Sequence, residues 1–221
     1  MSNTLLSALV TKLDNKIAAS KTNGFFSTAQ KEASLNTAGE RVCNYRAWKA
    51  LEDSKKTTTV ADQEYYDEPD EFQADSIYAM KIDGEKYDKK DWMDFQDYVD
   101  NESSDKVFAT HDGLYFINPI PDESNLELCI YGIKKWVALA SADASILPAK
   151  FDEAIVMLAF AECLDKKKEY SAAAVIRKQV EEPANPEVQG SGGLLARIGE
   201  REDDGGKSGS CGKATSTRFL M

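Results

Sequence analysis

Eight consecutive residues, Ala154 to Ala161, read Ala-Ile-Val-Met-Leu-Ala-Phe-Ala and carry no charged or polar side chain. A helix that is apolar on every side cannot face water and must be covered on most of its surface. The run is also too short to cross a bilayer, which takes about 20 apolar residues. It is therefore a core helix, or one buried between subunits. The spacing predicts a helix from Phe151 to about Lys168. Pro148 suits the approach to a first turn, Asp152 and Glu153 suit the positive end of the helix, and Lys166, Lys167 and Lys168 the negative end. One copy of the chain is expected to cover this segment incompletely, so sister copies supply the rest. Phe151, Ile155, Met157, Leu158 and Phe160 are the candidate subunit-packing residues.

Two helices are predicted before it. Leu5, Leu9, Leu13 and Ile17 recur every four residues and make one apolar stripe over about Asn3 to Ser20. Lys21-Thr22-Asn23-Gly24 is its stop signal. Ser27-x-x-Gln30 has the capping-box form and opens a second helix, expected to reach about Leu51. Leu35, Ala38, Val42, Tyr45 and Trp48 define its buried face, with Asn36 and Gly39 as modest interruptions.

From Thr57 the pattern changes to short strands. Thr57–Val60 is β-branched, and Ser76–Ile82 is a strand candidate closed by Asp83-Gly84, a strong hairpin dipeptide. Lys106–Ala109 and Leu114–Ile117 flank His111-Asp112-Gly113, a second hairpin signal. An alternating segment from Leu126 to about Lys135 gives a further strand, and Trp92–Val99 reads as a short helix. Past Lys135 the chain is expected to return to helix, ending with Glu169–Glu182 before Pro183 and Pro186. Beyond Glu187 the composition predicts a mobile tail, apart from the apolar cluster Leu194–Ile198 and the terminal Arg218–Met221.

The expected fold is α+β. N- and C-terminal helices (1–55 and 137–182) form a bundle, a small acidic antiparallel β-sheet domain (56–136) is inserted between them, and 183–221 is an extended flexible tail.

Charge is concentrated in the inserted region. Ala61 to Asp105 holds 16 acidic and 4 basic residues, whereas the whole chain carries a net charge of -11. Such an excess argues against wrapping nucleic acid on a basic face. It suits a solvated surface, or a lining that repels DNA and lets it slide. Asp67, Glu68, Asp70 and Glu71 cluster without the spacing or the glycine of a calcium loop. A single histidine, His111, argues against a zinc site, and Cys43, Cys129, Cys163 and Cys211 read as isolated thiols. Gly206-Lys207-Ser208 and Gly212-Lys213-Ala214 lack the glycine spacing and the preceding strand of a phosphate loop. No catalytic residue, cofactor or metal is expected. The N-terminus shows neither a basic region nor a long apolar stretch of signal-peptide type.

The order of features resembles the head-to-tail adaptor (connector, or head-completion) proteins of tailed bacteriophages. The resemblance is carried at four places over roughly residues 27 to 182. Ala33-Ser34-Leu35-Asn36-Thr37-Ala38 leads to Trp48-Lys49-Ala50-Leu51-Glu52. Tyr66-Asp67-Glu68-Pro69-Asp70-Glu71-Phe72 precedes the strand Ile77–Ile82. An aromatic strand ends in Asn118-Pro119-Ile120-Pro121, before an alternating strand with Tyr131. Leu147-Pro148 then introduces an acidic turn, the apolar helix and an Ala-rich helix. The family pattern places an apolar residue before the proline, where this chain has Glu68.

The resemblance implies a structural virion protein and not an enzyme. It would sit in the neck at the portal vertex after assembly in the host cytoplasm, as a homo-oligomeric ring, expected to be a dodecamer, beneath the portal protein. The ring extends the DNA channel, with genomic DNA passing through without specific binding, and offers a platform to a tail or nozzle protein; no membrane is involved. On the same basis Leu194, Leu195, Arg197, Ile198, Phe219 and Leu220 are expected to contact the portal. The residues themselves leave a second expectation open, a monomeric acidic module of DNA-mimic type that binds a basic partner.

Overall fold

Ser27 and Gln30 open the second helix by exchanging hydrogen bonds. The Gln30 N–H donates to Ser27 Oγ (3.3 Å) and the Ser27 N–H to Gln30 Oε1 (2.9 Å). This satisfies two donors that a helix N-terminus leaves without intrahelical partners. The computed structural model describes residues 3–19, 25–185 and 191–205. The predicted stop at Lys21–Gly24, Pro186, Cys211, both Gly-Lys motifs and Arg218–Met221 lie outside the described residues. The elements are mixed α and β. The helices are α1 (Leu6–Ala19), α2 (Thr28–Asn44), α3 (Trp92–Asp100), α4 (Asp152–Lys166), α5 (Tyr170–Glu181) and α6 (Leu194–Gly205). The strands are β1 (Asn3–Leu5), β2 (Glu52–Thr58), β3 (Tyr65–Asp67), β4 (Ala79–Ile82), β5 (Glu85–Lys89), β6 (Val107–His111), β7 (Leu114–Asn118), β8 (Glu127–Ile133) and β9 (Ala144–Pro148). They group into two compact units: residues up to Leu6 with Gly39–Pro148, and Ser7–Ala38 with the chain from Ala149 onward.

The first unit is built on a curled seven-stranded sheet in the order β2-β8-β4-β5-β6-β7-β3. Asp83-Gly84 and Asp112-Gly113 make the two expected hairpin turns, each residue with positive φ (48° and 81°; 52° and 75°). The sheet is not wholly antiparallel as expected. β5 pairs with β6 in parallel, Asp88 opposite Val107 and Lys89 opposite Phe108. Parallel neighbours need a crossover connection, and α3 lies within it. The β6–β7 hairpin is covered on both faces. Phe108, Tyr115 and Ile117 join the core with Ile77, Met80, Leu128 and Ile130. Val107, Ala109 and Phe116, from the alternate positions, lie under Phe95 and Trp92 of α3.

β2 and β3 follow each other in sequence but stand at opposite edges of the sheet, joined only by residues 59–64. So short a connection reaches at most about 25 Å, which requires the sheet to curl until its edges approach. Tyr66 fastens that end, its hydroxyl bonding both the N–H (3.1 Å) and the C=O (3.3 Å) of Val60.

Four short strands, β1, β3, β5 and β9, lie outside what the sequence pattern predicts. β1 and β9 pair antiparallel, Asn3 opposite Pro148 and Leu5 opposite Ala144. Leu5 is consequently strand, 48% exposed, and the buried stripe of α1 is Leu6, Leu9, Leu13 and Ile17. α2 stops at Asn44, short of the predicted Leu51. Trp48 is fully buried beyond it, and its Nε1–H donates to the Val42 carbonyl (2.7 Å).

The second unit gathers helices from both ends of the chain. Lys12 and Lys16, one turn apart on α1, pair with Asp152 (2.6 Å) and Glu153 (2.8 Å) in the first turn of α4. Lys31 of α2 pairs with Asp14 of α1 (2.6 Å). At the other end of α4, Lys166 donates to Ser34 Oγ of α2 (2.8 Å).

Candidate functional site

α4 is where sequence and structure differ most usefully. Phe151, Ile155 and Leu158 are buried within the single chain, as are Ala154, Val156, Ala159 and Ala161. The expectation that sister copies cover this helix is therefore corrected. α5 lies along it, with Ala161, Leu164 and Ala173 at the contact and Phe160 and Ile176 partly buried beside them. Of the five candidate packing residues, only Met157 and Phe160 keep part of their surface exposed.

The expected tail contains a helix. α6 packs on α5 through a buried stripe of Leu195 and Ile198, one turn apart. The reversal that delivers it is hydrogen-bonded at both ends. The Gly193 N–H donates to Glu182 O (2.7 Å), and Ser191 Oγ receives the Asn185 N–H (2.6 Å) while donating to Asn185 O (3.0 Å). A composition rich in Gly and Ser hid this element, although the i, i+3 pair of Leu195 and Ile198 was its signal. Leu195 and Ile198 are spent on the chain's own packing, leaving Leu194 half-buried and Arg197 exposed.

These two remaining residues line a cleft together with Met157. A cleft of about 450 Å³ is lined by Met157 and Glu153 of α4, Gln179 of α5, Glu182, and Leu194 and Arg197 of α6. Met157, expected at a subunit contact, and Leu194 and Arg197, expected at a portal contact, thus share one surface.

In the sheet unit, 15 of the 16 carboxylates between Ala61 and Asp105 are exposed. A few are paired with lysines: Glu71 with Lys55, Glu85 with Lys106, and Asp88 with Lys86 (2.6 Å). The partner lysines hold the Glu71 and Asp88 carboxyls below the usual carboxylate range. Glu68 is the exception. Its Oε2 accepts the Asp75 N–H (2.9 Å), its Oε1 is buried without a hydrogen-bond partner, and burial raises its carboxyl pKa. Lys89 stands nearby, donating to the carbonyls of Asp75 (3.2 Å) and Ile77 (2.6 Å). Asp67, Asp70 and Glu71 line a common cleft with Lys55 and Tyr66, and Glu68 is not part of its lining. Among the described residues, no three His, Cys, Asp or Glu side chains are arranged to hold a metal ion.

β2 forms a sheet edge exposed along all seven residues. Lys55 stands opposite the core residue Ile130, so its side chain lies on the core-facing side, where it pairs with Glu71. A charge so placed discourages edge-to-edge pairing. His111 stacks on Trp92, with ring centroids 4.6 Å apart, away from any nucleophile pairing among the described hydrogen bonds. Cys43, Cys129 and Cys163 are buried free thiols, and burial together with Glu40 pushes the Cys43 thiol up to about 12. Thiols held protonated in this way are poor nucleophiles. No described helix is long and apolar enough to cross a membrane.

Against protein-family models, residues 4–189 match the SU10 adaptor protein family. The chain belongs to that family. The match runs from β1 to just beyond α5 and takes in both compact units. Among curated proteins no match is found. The SU10 adaptor family points to a bacteriophage structural adaptor, a virion component with a structural rather than a catalytic task.

Proposed function

We propose that the chain is a head-to-tail adaptor: copies form a ring beneath the portal protein, extend the DNA channel and present the platform on which the tail or nozzle protein sits. The observation that carries this reading is the family match across residues 4–189. A dodecamer is the copy number we assign, by resemblance to phage connectors. The ring does not depend on α4 lacking cover, since the chain encloses that helix itself. Met157, Phe160, Leu194 and Arg197 are the assembly residues this reading favours on the helical unit, with Phe219 and Leu220 engaging the portal. The exposed carboxylates of the sheet unit suit a surface that DNA passes without adhering, because like charge keeps phosphate away. The protein is assigned to the neck, joined there after assembly in the host cytoplasm.

Electron microscopy of purified virion necks tests the reading. A ring of this chain between portal and tail is the expected image, and absence of the protein from mature virions overturns it.

A second reading, a monomeric acidic module for a basic partner, is favoured by the same carboxylates and by the enclosure of α4 within one chain. Pull-down from infected cells separates the two. The adaptor reading expects portal and tail proteins, the mimic reading a basic nucleic-acid-binding protein and no virion component.

A further inference from the structure

The two ends of β8 carry opposite kinds of surface. At its start Leu128 lies opposite Ile82, and the Asp83 N–H donates to the Glu127 carbonyl (2.8 Å). A cavity of about 270 Å³ opens there, between the β4–β5 turn and the loop that begins Pro119-Ile120-Pro121. Ile82, Tyr87, Pro119 and Leu126 give it apolar walls, and Ile120, 46% exposed, forms its lip. Asp83, Asp122 and Glu123 stand exposed around it, with no ion-pair partner among the described residues, whereas Glu85 is taken by Lys106. The fitting occupant is an apolar side chain with a cation close by.

The other end of β8 offers that combination. Leu128 to Ala142 holds two lysines and no Asp or Glu, in a chain with 38 acidic residues. Lys134 is paired with Asp53 (2.8 Å), which leaves Lys135 exposed beside Val137, itself 58% exposed. Between them Trp136, its indole against Gly39, fixes the loop to the unit. The seven residues of β8 hold the cavity and the loop apart by on the order of 20 Å. Complementary surfaces at opposite ends of one strand do not meet within a molecule. They meet between copies, each copy offering both, and such a heterologous contact generates a ring when its rotation closes.

We propose that the sheet units of neighbouring copies join head to tail: Val137 of one copy enters the cavity beside Ile120 of the next, and Lys135 reaches the carboxylates of Asp83, Asp122 and Glu123. The occupant is a second copy of this chain. The inference rests on the adaptor reading for the ring it builds, and adds the contact through which the copies follow one another.

The test is disulfide trapping in the full chain carrying Ile120→Cys and Val137→Cys together. Cys43, Cys129 and Cys163 are buried, and Cys211→Ser removes the remaining thiol. A disulfide needs Cα atoms within about 7 Å, far less than the length of β8, so a bond between the two positions joins different copies. Mild oxidation in concentrated solution should give a ladder of dimers, trimers and higher species. A mixture of the two single-cysteine variants should give mixed dimers only. Lys135→Glu should reduce the ladder about tenfold, and Asp122→Lys with Glu123→Lys should restore it. Absence of the ladder, a ladder indifferent to Lys135→Glu, or a preference for Ile120→Cys joined to itself overturns the proposal. A neck ring built from copies that give no ladder sinks this contact alone. A charge-dependent ladder from a chain absent from mature virions upholds the contact and sinks the adaptor reading.

Discussion

Gly39 of α2 lies against the edge of the Trp136 indole, so closely that a Cβ at this position would fall inside the ring's van der Waals envelope. A glycine in mid-helix costs about 1 kcal/mol relative to alanine, and here it leaves room for a tryptophan. Gly39→Ala is therefore expected to destabilise by about 1 kcal/mol net, overpacking of about 1–3 kcal/mol outweighing the gain in helix propensity. In a Trp136→Leu background the same substitution should become neutral or stabilising. Urea denaturation of the four proteins reads the cycle, and an unchanged penalty in the Leu background would show that the indole is not the cause.

Leu195 and Leu194 are neighbours with opposite fates. Leu195 is fully buried where α6 meets α5, and Leu194 faces the cleft. Leu195→Ala should cost about 2–3 kcal/mol, within the usual range for buried leucine, and Leu194→Ala less than about 1 kcal/mol. Hydrogen exchange should locate the first loss in α6. Equal effects from the two substitutions would mean that the helix does not dock on Leu195.

Arg177 of α5 joins Glu162 (3.0 Å) and Asp165 on α4, a pair three residues apart whose side chains are about a quarter exposed. Arg177→Ala leaves two carboxylates facing each other and should cost about 1–2 kcal/mol after allowance for solvent screening. Arg177→Lys restores charge but not the planar fork, so it should fall between the two. Denaturation at low and high salt checks the order, and the gap between native and Ala forms should narrow as salt rises.

Glu68 links stability to pH in the direction opposite to most carboxylates. Burial raises its pKa in the folded chain, so the folded state holds this proton to higher pH than the unfolded state does. Its contribution to stability is full below the ordinary glutamate range and declines as pH rises through the folded value. Glu68→Gln removes that decline. The melting temperature of the variant should gain on the native protein between pH 4 and pH 7, and a gap that is constant across this range would rule the effect out.

Local signals in this chain were legible because their chemistry acts within a few residues. Ser27 and Gln30 cap a helix from three residues apart, Asp83-Gly84 and Asp112-Gly113 reverse the chain on their own backbone angles, and the apolar run of α4 can only be a buried element. The α+β class and the acidity of the sheet region followed from the same reading. Leu5 was misplaced in the α1 stripe because its strand partner, Ala144, is far away in sequence. β3 and β5 were missed for the same reason: three to five residues carry too little pattern without the neighbour that pairs them.

By itself the sequence determined which segments must be helix or turn, where the charge lies, and that Ala154–Ala161 needs cover. Only the tertiary structure decided what supplies that cover, that β5 and β6 run parallel, that α6 is folded onto α5, and that Met157 shares a cleft with Leu194 and Arg197. Periodicity reports which face of an element is apolar. Which distant residues come to lie against that face is settled by the burial and hydrogen bonding of the whole chain, and no short window contains both partners.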